Sequence, residues 1–299
     1  MAGSKYLVKK RIIFIPLVVV LCSLGLGGIW LAGRSARQMP TKNPAPLSAK
    51  TVIKEQGSAS INSIAKANTI IFEVPKQFQG KTLAQVQVND TDKVIALTFD
   101  DGPAPKYTEQ VLQILKQQNI KATFFCVGEM VHDYPQIAKL EVTDGHAIGN
   151  HTWHHWYKKL NPSAAAAEIE STATQMYETM GIKTSMFRPP GGVLNNGVVD
   201  YAKKNNYAIL MWSDDAEDYR RPPVTKLVND VLKYAKPGGM VLMHDGGGNR
   251  ANTVKALPQI IDALRKRGYR FVTVPELLKM PQKPLVKTAT QVHPPKKGT

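Results

Sequence analysis

Acidic residues are missing from both ends of this sequence. Residues 1–50 carry eight Lys or Arg and no Asp or Glu, and residues 281–299 carry four Lys and no acid. These ends hold most of the net charge of +16, so residues 51–280 have a net charge of only +4. Nucleic-acid binding requires a basic face on the domain, and this balance excludes nucleic acid as a partner. The basic ends fit a chain beside an anionic surface or a solvated tail.

Charged residues are also absent from residues 12–33, a run of 22 positions. As a helix, this run is about 33 Å long, which is enough to cross a hydrocarbon core of about 30 Å. Lysines and Arg11 precede it, which predicts a cytoplasmic segment at residues 1–11 and an extracytoplasmic remainder. A cleaved signal peptide is the alternative, although its apolar region usually has about 7–15 residues. We therefore expect a single-pass anchor in the cell membrane.

Cysteine is almost absent, with Cys22 and Cys126 as the two examples. Because Cys22 lies in the predicted membrane span, one extracytoplasmic cysteine is left, and it cannot form an intramolecular disulfide. Cys126 falls in a predicted strand, where a small core residue is expected rather than a nucleophile.

The chain after the span divides by composition. Residues 34–66 are rich in Pro, Ser, Ala, Lys and Thr, which predicts a flexible linker. Residues 67–91 form a short segment expected to pack on the main domain, and residues 84–88 alternate like a half-exposed strand. The main domain is predicted at residues 92–280. A Pro- and Lys-containing tail without a core-forming pattern follows at residues 281–299.

Apolar strands alternate with helical stretches through the main domain. Strands are predicted to end at about Phe99, Val127, Ile148, Phe187, Trp212, His244 and Val274, and helices are predicted over residues 107–118, 164–180, 198–204, 224–235 and 254–267. In the last helix, apolar residues recur every three or four positions and form one face. The sequence therefore predicts an α/β fold, a distorted (β/α) barrel of about seven parallel strands, after a transmembrane helix and a linker.

Two adjacent carboxylates, Asp100 and Asp101, follow the first of these strands. Gly102 and Pro103 then end the strand with turn chemistry. Like charges this close raise at least one pKa unless a cation lies between them, so we expect a metal or an arginine nearby. A solvated turn is the alternative reading.

The other reactive residues also fall at predicted carboxyl ends of strands, which is where barrel enzymes place their chemistry. His151, His154 and His155 follow the third strand. Residues four apart on a helical turn are neighbours, so His151 and His155 can hold one ion, but His154 at i+3 can also serve and spacing does not choose. Two imidazoles and Asp101 would give three ligands and one open position, the catalytic pattern for zinc.

Five motifs in order resemble the polysaccharide deacetylases of carbohydrate esterase family 4, the NodB-homology domain. They are TFDDGP (98–103), HTWHH (151–155), FRPPGG (187–192), DAEDY (215–219) and LMHD (242–245). The resemblance covers roughly residues 92–280. It implies a metal-dependent hydrolase that removes N-acetyl groups from a polysaccharide, giving a free amine and acetate.

The resemblance also implies roles for matching positions. Asp100 corresponds to the general base, Asp101, His151 and His155 to the metal ligands, and Arg188 to the partner of Asp100. His244, oriented by Asp218, corresponds to the general acid, and the Gly191 N–H to the oxyanion donor. The implied substrate-binding residues are Tyr219, Leu242 and Trp212. The family often has an aromatic residue where Gly191 stands and Trp where Tyr219 stands, so one wall of the sugar groove is expected to be missing.

Amide hydrolysis itself requires three roles: a polarised carbonyl, an activated water and a proton for the departing amine. A divalent ion, most simply zinc with cobalt or nickel as alternatives, suits two His and one Asp. The expected partners are an acetylated glycan, first peptidoglycan N-acetylglucosamine and then chitin-like oligomers, and the cytoplasmic membrane. An O-acetyl esterase using the same residues and a non-catalytic glycan-binding protein are the alternatives.

Overall fold

The computed structural model describes residues 69–89 and 91–283. The predicted cytoplasmic segment, transmembrane helix and linker lie outside the described residues, as does most of the predicted tail. Among the described residues, no helix combines the length and apolar character needed to cross a membrane.

A curled sheet of parallel strands forms the centre of the described chain. Its strands are β2 (Thr82–Leu83), β3 (Val94–Asp100), β4 (Thr123–Cys126), β5 (Ala147–Asn150), β7 (Met186–Phe187), β8 (Ala208–Leu210), β9 (Asp214–Asp215), β10 (Gly239–His244) and β11 (Arg270–Phe271). The strand order is β2-β8-β7-β5-β4-β3-β10-β9, and β11 also pairs with β3. A separate parallel pair is formed by β1 (Ile70–Phe72) and β6 (Ile182–Thr184).

The helices lie between these strands, as the alternating pattern predicts. They are α1 (Tyr107–Gln117), α2 (Gly128–Asp133), α3 (Pro135–Thr143), α4 (Pro162–Met180), α5 (Val198–Lys204), α6 (Val224–Tyr234), α7 (Ala251–Lys266) and α8 (Val274–Lys279). The predicted apolar face of α7 is confirmed, because Leu257, Ile261 and Leu264 are fully buried in the main hydrophobic cluster and Val254 packs against it. The α/β class with a parallel sheet is therefore confirmed for the described residues.

Strand β3 shows how the fold positions reactive groups, because all seven of its residues are buried. Ile95, Leu97 and Phe99 pack in the cluster that includes α1 and α7, whereas Val94 and Ala96 pack in a second cluster. Since side chains alternate along a strand, Thr98 and Asp100 continue the face of Val94 and Ala96. The strand therefore carries a carboxylate at the carboxyl end of its inward face.

Two local predictions are wrong. Residues 84–88 form no strand: Gln85 makes a single antiparallel bridge with Gly239, and Val88 N–H donates to Val86 O instead of to a neighbouring strand. The apolar alternation arises because Val86 and Val88 are buried on one side of an irregular segment. The last strand ends at Phe271 rather than near Val274, because Thr273 caps α8 by accepting from Glu276 N–H.

Candidate active site

The carboxyl ends of five strands of the sheet bring the candidate residues together. Asp100 ends β3, His151 follows β5, Arg188 follows β7, and His244 ends β10. Asp218 lies in a short 3₁₀ segment just after β9. Residues separated by up to 144 positions in the sequence thus share one end of the sheet, as the barrel arrangement requires.

Asp100 forms a buried ion pair with Arg188, whose side chain is fully buried. Arg188 Nη1 lies 2.7 Å from Asp100 Oδ1 and 2.8 Å from Thr98 Oγ1. The remaining donors bond to the Leu210 and Met211 carbonyl oxygens at 2.8 and 3.0 Å, and the guanidinium lies 4.0 Å from the Phe125 ring centre. Burial lowers the pKa of Arg188, against the opposing effect of Asp100. These contacts fix Asp100 Oδ1 and leave Oδ2 facing the rest of the site.

Asp101, His151 and His155 form a group that could hold a metal ion, since one ligand atom from each lies within 4.8 Å of the others. Asp101 Oδ1 is 3.0 Å from His155 Nε2 and 3.4 Å from His151 Nε2. Asp101 Oδ1 is also buried without a hydrogen-bond partner. Two ligand atoms of a tetrahedral zinc ion, each about 2.0–2.1 Å from it, lie about 3.3 Å apart. The spacing and the unpartnered oxygen therefore fit a divalent ion.

The two histidines do not reach this arrangement through a helical turn, and that part of the prediction is wrong. No helix covers the segment, and Thr152 and His155 have φ values of +68° and +58°. Asn150 Oδ1 accepts from Thr152 N–H and Thr152 Oγ1 accepts from His155 N–H, so side chains hold a tight irregular loop. His151 Nδ1 lies 2.7 Å from Arg188 O, which orients Nε2 towards Asp101.

His154, which spacing could not separate from His155, lies in a different environment. Its Nδ1 atom is 2.6 Å from Glu168 Oε1, and its ring stacks on Trp156 at 4.1 Å. Glu168 Oε2 also accepts the backbone N–H groups of Trp153 and His154. His154 is thus part of the loop anchor and not of the Asp101 group.

His244 forms a pair with Asp218. In the sheet, the strand of His244 (β10) and the strand before Arg188 (β7) lie on opposite sides of β3, which carries Asp100. His244 Nδ1 lies 2.6 Å from Asp218 Oδ1, and Asp218 Oδ2 accepts from His244 N–H and Thr253 Oγ1–H. Burial alone would lower the pKa of His244, but the charge and hydrogen bond of Asp218 outweigh it and raise that pKa to about 9. The same pairing lowers the pKa of Asp218 despite its burial. At neutral pH the His244 imidazole is therefore protonated, close to Asp100 and Asp101.

The candidate substrate-binding residues differ in exposure. Tyr219 is 43% exposed, and its ring lies edge-on to His244 with the centroids 5.8 Å apart. Trp212 is half-buried, 5.8 Å from the Arg188 guanidinium, whereas Leu242 is buried. Gly191 has a left-handed φ of +56° in a short 3₁₀ segment after Arg188. Leu242 can therefore contribute little contact area to a bound sugar.

The acidic loop after β8 is less negatively charged than its sequence suggests. Asp214 is buried, and burial, with smaller contributions from Asp215 and Asp230, raises its pKa to about 8. Burial also raises the pKa of Asp215, although Glu217 N–H donates to its Oδ1 atom. Asp214 is therefore mostly neutral at pH 7.

Sequence reasoning missed the residues that support Asp101 from the loop after β10. A Cβ atom at Gly247 would lie 2.3 Å from Asp101 Oδ2, so this loop packs directly on the carboxylate. Buried Arg250 holds the loop by donating to the Gly246 and Gly247 carbonyl oxygens at 2.6 and 3.0 Å. Its Nη2 atom lies 3.9 Å from Asp101 Oδ2. The run Gly246–Gly248 before an arginine was the available signal.

Comparisons with known proteins agree with this geometry. The family model described as "Polysaccharide deacetylase" matches residues 87–210. A peptidoglycan-N-acetylglucosamine deacetylase of Bacillus cereus is 43% identical over 195 residues, which cover 64% of this chain and 92% of that protein.

Two solved structures show the same fold. The Bc1960 peptidoglycan N-acetylglucosamine deacetylase is 32% identical with a TM-score of 0.64, and the match covers 70% of this chain and 97% of that one. BA3943 of Bacillus anthracis, a CE4 family pseudoenzyme, is 26% identical with a TM-score of 0.63, over 76% of this chain and 83% of its own. The chain therefore belongs to the polysaccharide deacetylase family, CE4, and is a hydrolase that removes N-acetyl groups from polysaccharide.

Proposed function

We propose that the chain deacetylates N-acetylglucosamine residues of peptidoglycan, with chitin-like oligomers as the second substrate class. The observation that carries the proposal is the convergence of a buried Asp100–Arg188 pair, a three-residue metal group and a His244–Asp218 pair at one end of the sheet. The named activity of the B. cereus relative supports the choice of glycan.

Asp101, His151 and His155 would hold a divalent ion, for which zinc is our proposal and cobalt or nickel are the alternatives. When bound, such an ion polarises the acetyl carbonyl and lowers the pKa of its water. The loop held by Arg250 packs on Asp101 and keeps its carboxylate towards the two imidazoles.

The metal group makes a prediction about two adjacent histidines. His155→Ala should abolish stoichiometric zinc binding, because His155 Nε2 lies 3.0 Å from Asp101 Oδ1. His154→Ala should still bind about one zinc per chain, because His154 faces Glu168. Elemental analysis of both dialysed variants, with circular dichroism to confirm folding, measures this directly. Parent-like zinc content in His155→Ala would remove His155 from the ligand set, and loss of zinc by a folded His154→Ala would show that the metal group also requires His154.

The proton transfers are assigned to groups on either side of the metal group. We infer that Asp100 accepts a proton from the attacking water, since Arg188 fixes its Oδ1 atom and leaves Oδ2 available. His244, protonated at neutral pH, donates to the departing nitrogen. Gly191 N–H is proposed to donate to the oxyanion, and Tyr219 and Trp212 to contact the sugar. Each proton transfer is typically worth about 10²–10⁴ in rate.

Acetate release separates this function from its alternatives. The purified full-length chain is expected to release acetate from N-acetylglucosamine oligomers, to lose this activity on chelation, and to regain it when zinc is restored. Acetylated xylan as the better substrate would instead support an O-acetyl esterase. Oligomer binding without acetate release would indicate a glycan-binding protein.

The position of the enzyme is a separate proposal. Residues 12–33 contain no charge, which supports a membrane anchor with the deacetylase domain outside the cytoplasmic membrane.

We also infer that the curled sheet is a distorted (β/α) barrel. Residues 211–213 alone link β8 to β9, and Val86 N–H donates to Gly238 O beside the start of β10, which supports near-closure.

A further inference from the structure

An exposed tyrosine lies at the metal group, and neither the motifs nor the proposed roles account for it. Tyr157 follows His155 by two positions and is 58% exposed. Its ring lies edge-on to the His155 ring, with the centroids 5.2 Å apart and the planes at 80°. A large aromatic surface is thus accessible to solvent directly beside a metal-binding residue.

The Tyr157 ring also lies against the backbone of Gly191. A Cβ atom at Gly191 would lie 2.5 Å from Tyr157 Cε1 and 3.1 Å from Cδ1, so a side chain at this position would displace the tyrosine ring. The left-handed φ of +56° at Gly191 disfavours other residues independently. The missing side chain at this position therefore provides the space that the Tyr157 ring occupies.

The loop on either side of Tyr157 is fixed by its neighbours. Trp156 stacks on His154 at 4.1 Å, and Lys158 Nζ lies 3.6 Å from the centre of the same indole. These contacts restrict access to the Trp156 ring, which is 37% exposed. Glu168 holds this loop through two contacts with His154 and one with the backbone N–H of Trp153. Tyr157, at 58% exposed, therefore presents more of its ring to a ligand than Trp156 does.

A second exposed tyrosine, Tyr219, lies beside His244 as Tyr157 lies beside His155. Tyr219 is 43% exposed and lies edge-on to His244 at 80°, the same angle that Tyr157 makes with His155. The two rings thus flank the metal group and the His244–Asp218 pair respectively. Aromatic side chains bury large apolar area and commonly line sites for ligands with an apolar face, such as a pyranose ring.

We propose that Tyr157 is a substrate-binding residue that packs against the pyranose carrying the scissile acetamido group, on the metal side of the site. The proposal rests on the deacetylase function proposed above. In it, the Tyr157 ring forms the wall of the sugar groove that a glycine at position 191 cannot form. A contact of this kind acts on the bound sugar in the ground state and in the transition state alike, so its loss raises KM more than it lowers kcat.

The test compares Tyr157→Ala and Tyr157→Phe on N-acetylglucosamine oligomers. The alanine variant is expected to raise KM about fivefold to tenfold, with kcat within about twofold, because one aromatic contact is lost. The phenylalanine variant keeps the ring and is expected to restore KM to within about twofold of the parent. Tyr234→Ala, which removes a 50% exposed tyrosine at the end of α6, is the matched control and should behave like the parent.

Zinc content and direct oligomer binding are measured for the same variants. An unchanged KM for Tyr157→Ala would overturn the proposal, and so would a loss of kcat that follows loss of zinc, because Tyr157 would then support His155. A parent that binds the oligomer without releasing acetate would refute the proposed function alone. In that case weaker oligomer binding by Tyr157→Ala would still support the sugar contact proposed for Tyr157, and unchanged binding would refute it.

Discussion

Replacing Asp100 with asparagine is expected to lower kcat about 10³-fold, which lies within the usual range for loss of a general base. Asparagine keeps the size of the side chain and can still offer its oxygen to Arg188 Nη1, which lies 2.7 Å from Asp100 Oδ1. It cannot accept a proton from water. The expected result is therefore a folded protein with a nearly unchanged KM and almost no turnover.

This experiment requires three measurements on the same preparation. Steady-state acetate release gives kcat, elemental analysis gives the zinc content, and thermal unfolding reports the fold. Asp200→Asn, the same substitution at an exposed position of α5, is the control and should match the parent. Parent-like turnover by Asp100→Asn would assign the base to another group, whereas loss of zinc would mean that Asp100 supports the metal group, since its Oδ2 lies 3.7 Å from His151 Nε2.

The importance of individual residues follows from the comparison with a pseudoenzyme. BA3943, a CE4 family pseudoenzyme, shares the fold at a TM-score of 0.63, so the curled sheet does not by itself bring activity. What distinguishes a hydrolase is a set of side chains with opposite protonation needs in one place. Here a carboxylate paired with Arg188 and an imidazole paired with Asp218 meet that requirement within one site.

The sequence predicted the strands well where burial alone defines them. Strand β3 is buried at every position, so it appears as an uninterrupted apolar run before Asp100. The two-residue strands β2 and β9 are set by pairing with β8 and β10 and leave no local pattern. The helical turn predicted for the segment from His151 to Tyr157 was wrong for a similar reason. Thr152 and His155 adopt positive φ values that neighbouring side chains stabilise.

The residues of the candidate site also differ in how far the sequence reveals them. Groups to which we assign chemistry, such as Asp101 and His244, stand out by residue type and by their position after strands. Residues that hold them in place do not: Arg250 acts through backbone carbonyl groups, and Thr253 bonds to Asp218 across 35 positions. Tyr157 resembles any exposed tyrosine until the fold brings Gly191 against its ring. Such contacts depend on tertiary packing, which local sequence does not encode.

Replacing Asp218 with asparagine is expected to move the basic limb of the pH profile of kcat/KM. The parent limb should fall near pH 9, because the Asp218 carboxylate holds the pKa of His244 at about 9 against the effect of burial. Protonated His244 is the proposed donor, so activity is expected below this pKa and should be lost as pH rises through it. Without the carboxylate, burial lowers the pKa of His244 and only the charges of Asp101 and Asp100 still raise it, so the basic limb is expected to move to lower pH by about one unit or more.

The loss of rate at pH 8 combines this shift with the loss of orientation. A lower pKa leaves a smaller fraction of His244 protonated at pH 8, and Nδ1 no longer bonds to a carboxylate at 2.6 Å, so we expect about a 10²-fold lower kcat/KM. Thr253→Val is the matched control, because it removes one hydrogen bond to Asp218 Oδ2 but keeps the charge. Its basic limb should stay within about half a unit of the parent. A basic limb that Asp218→Asn leaves near pH 9 would show that a group other than His244 sets it, and His244 would lose its assignment as the acid.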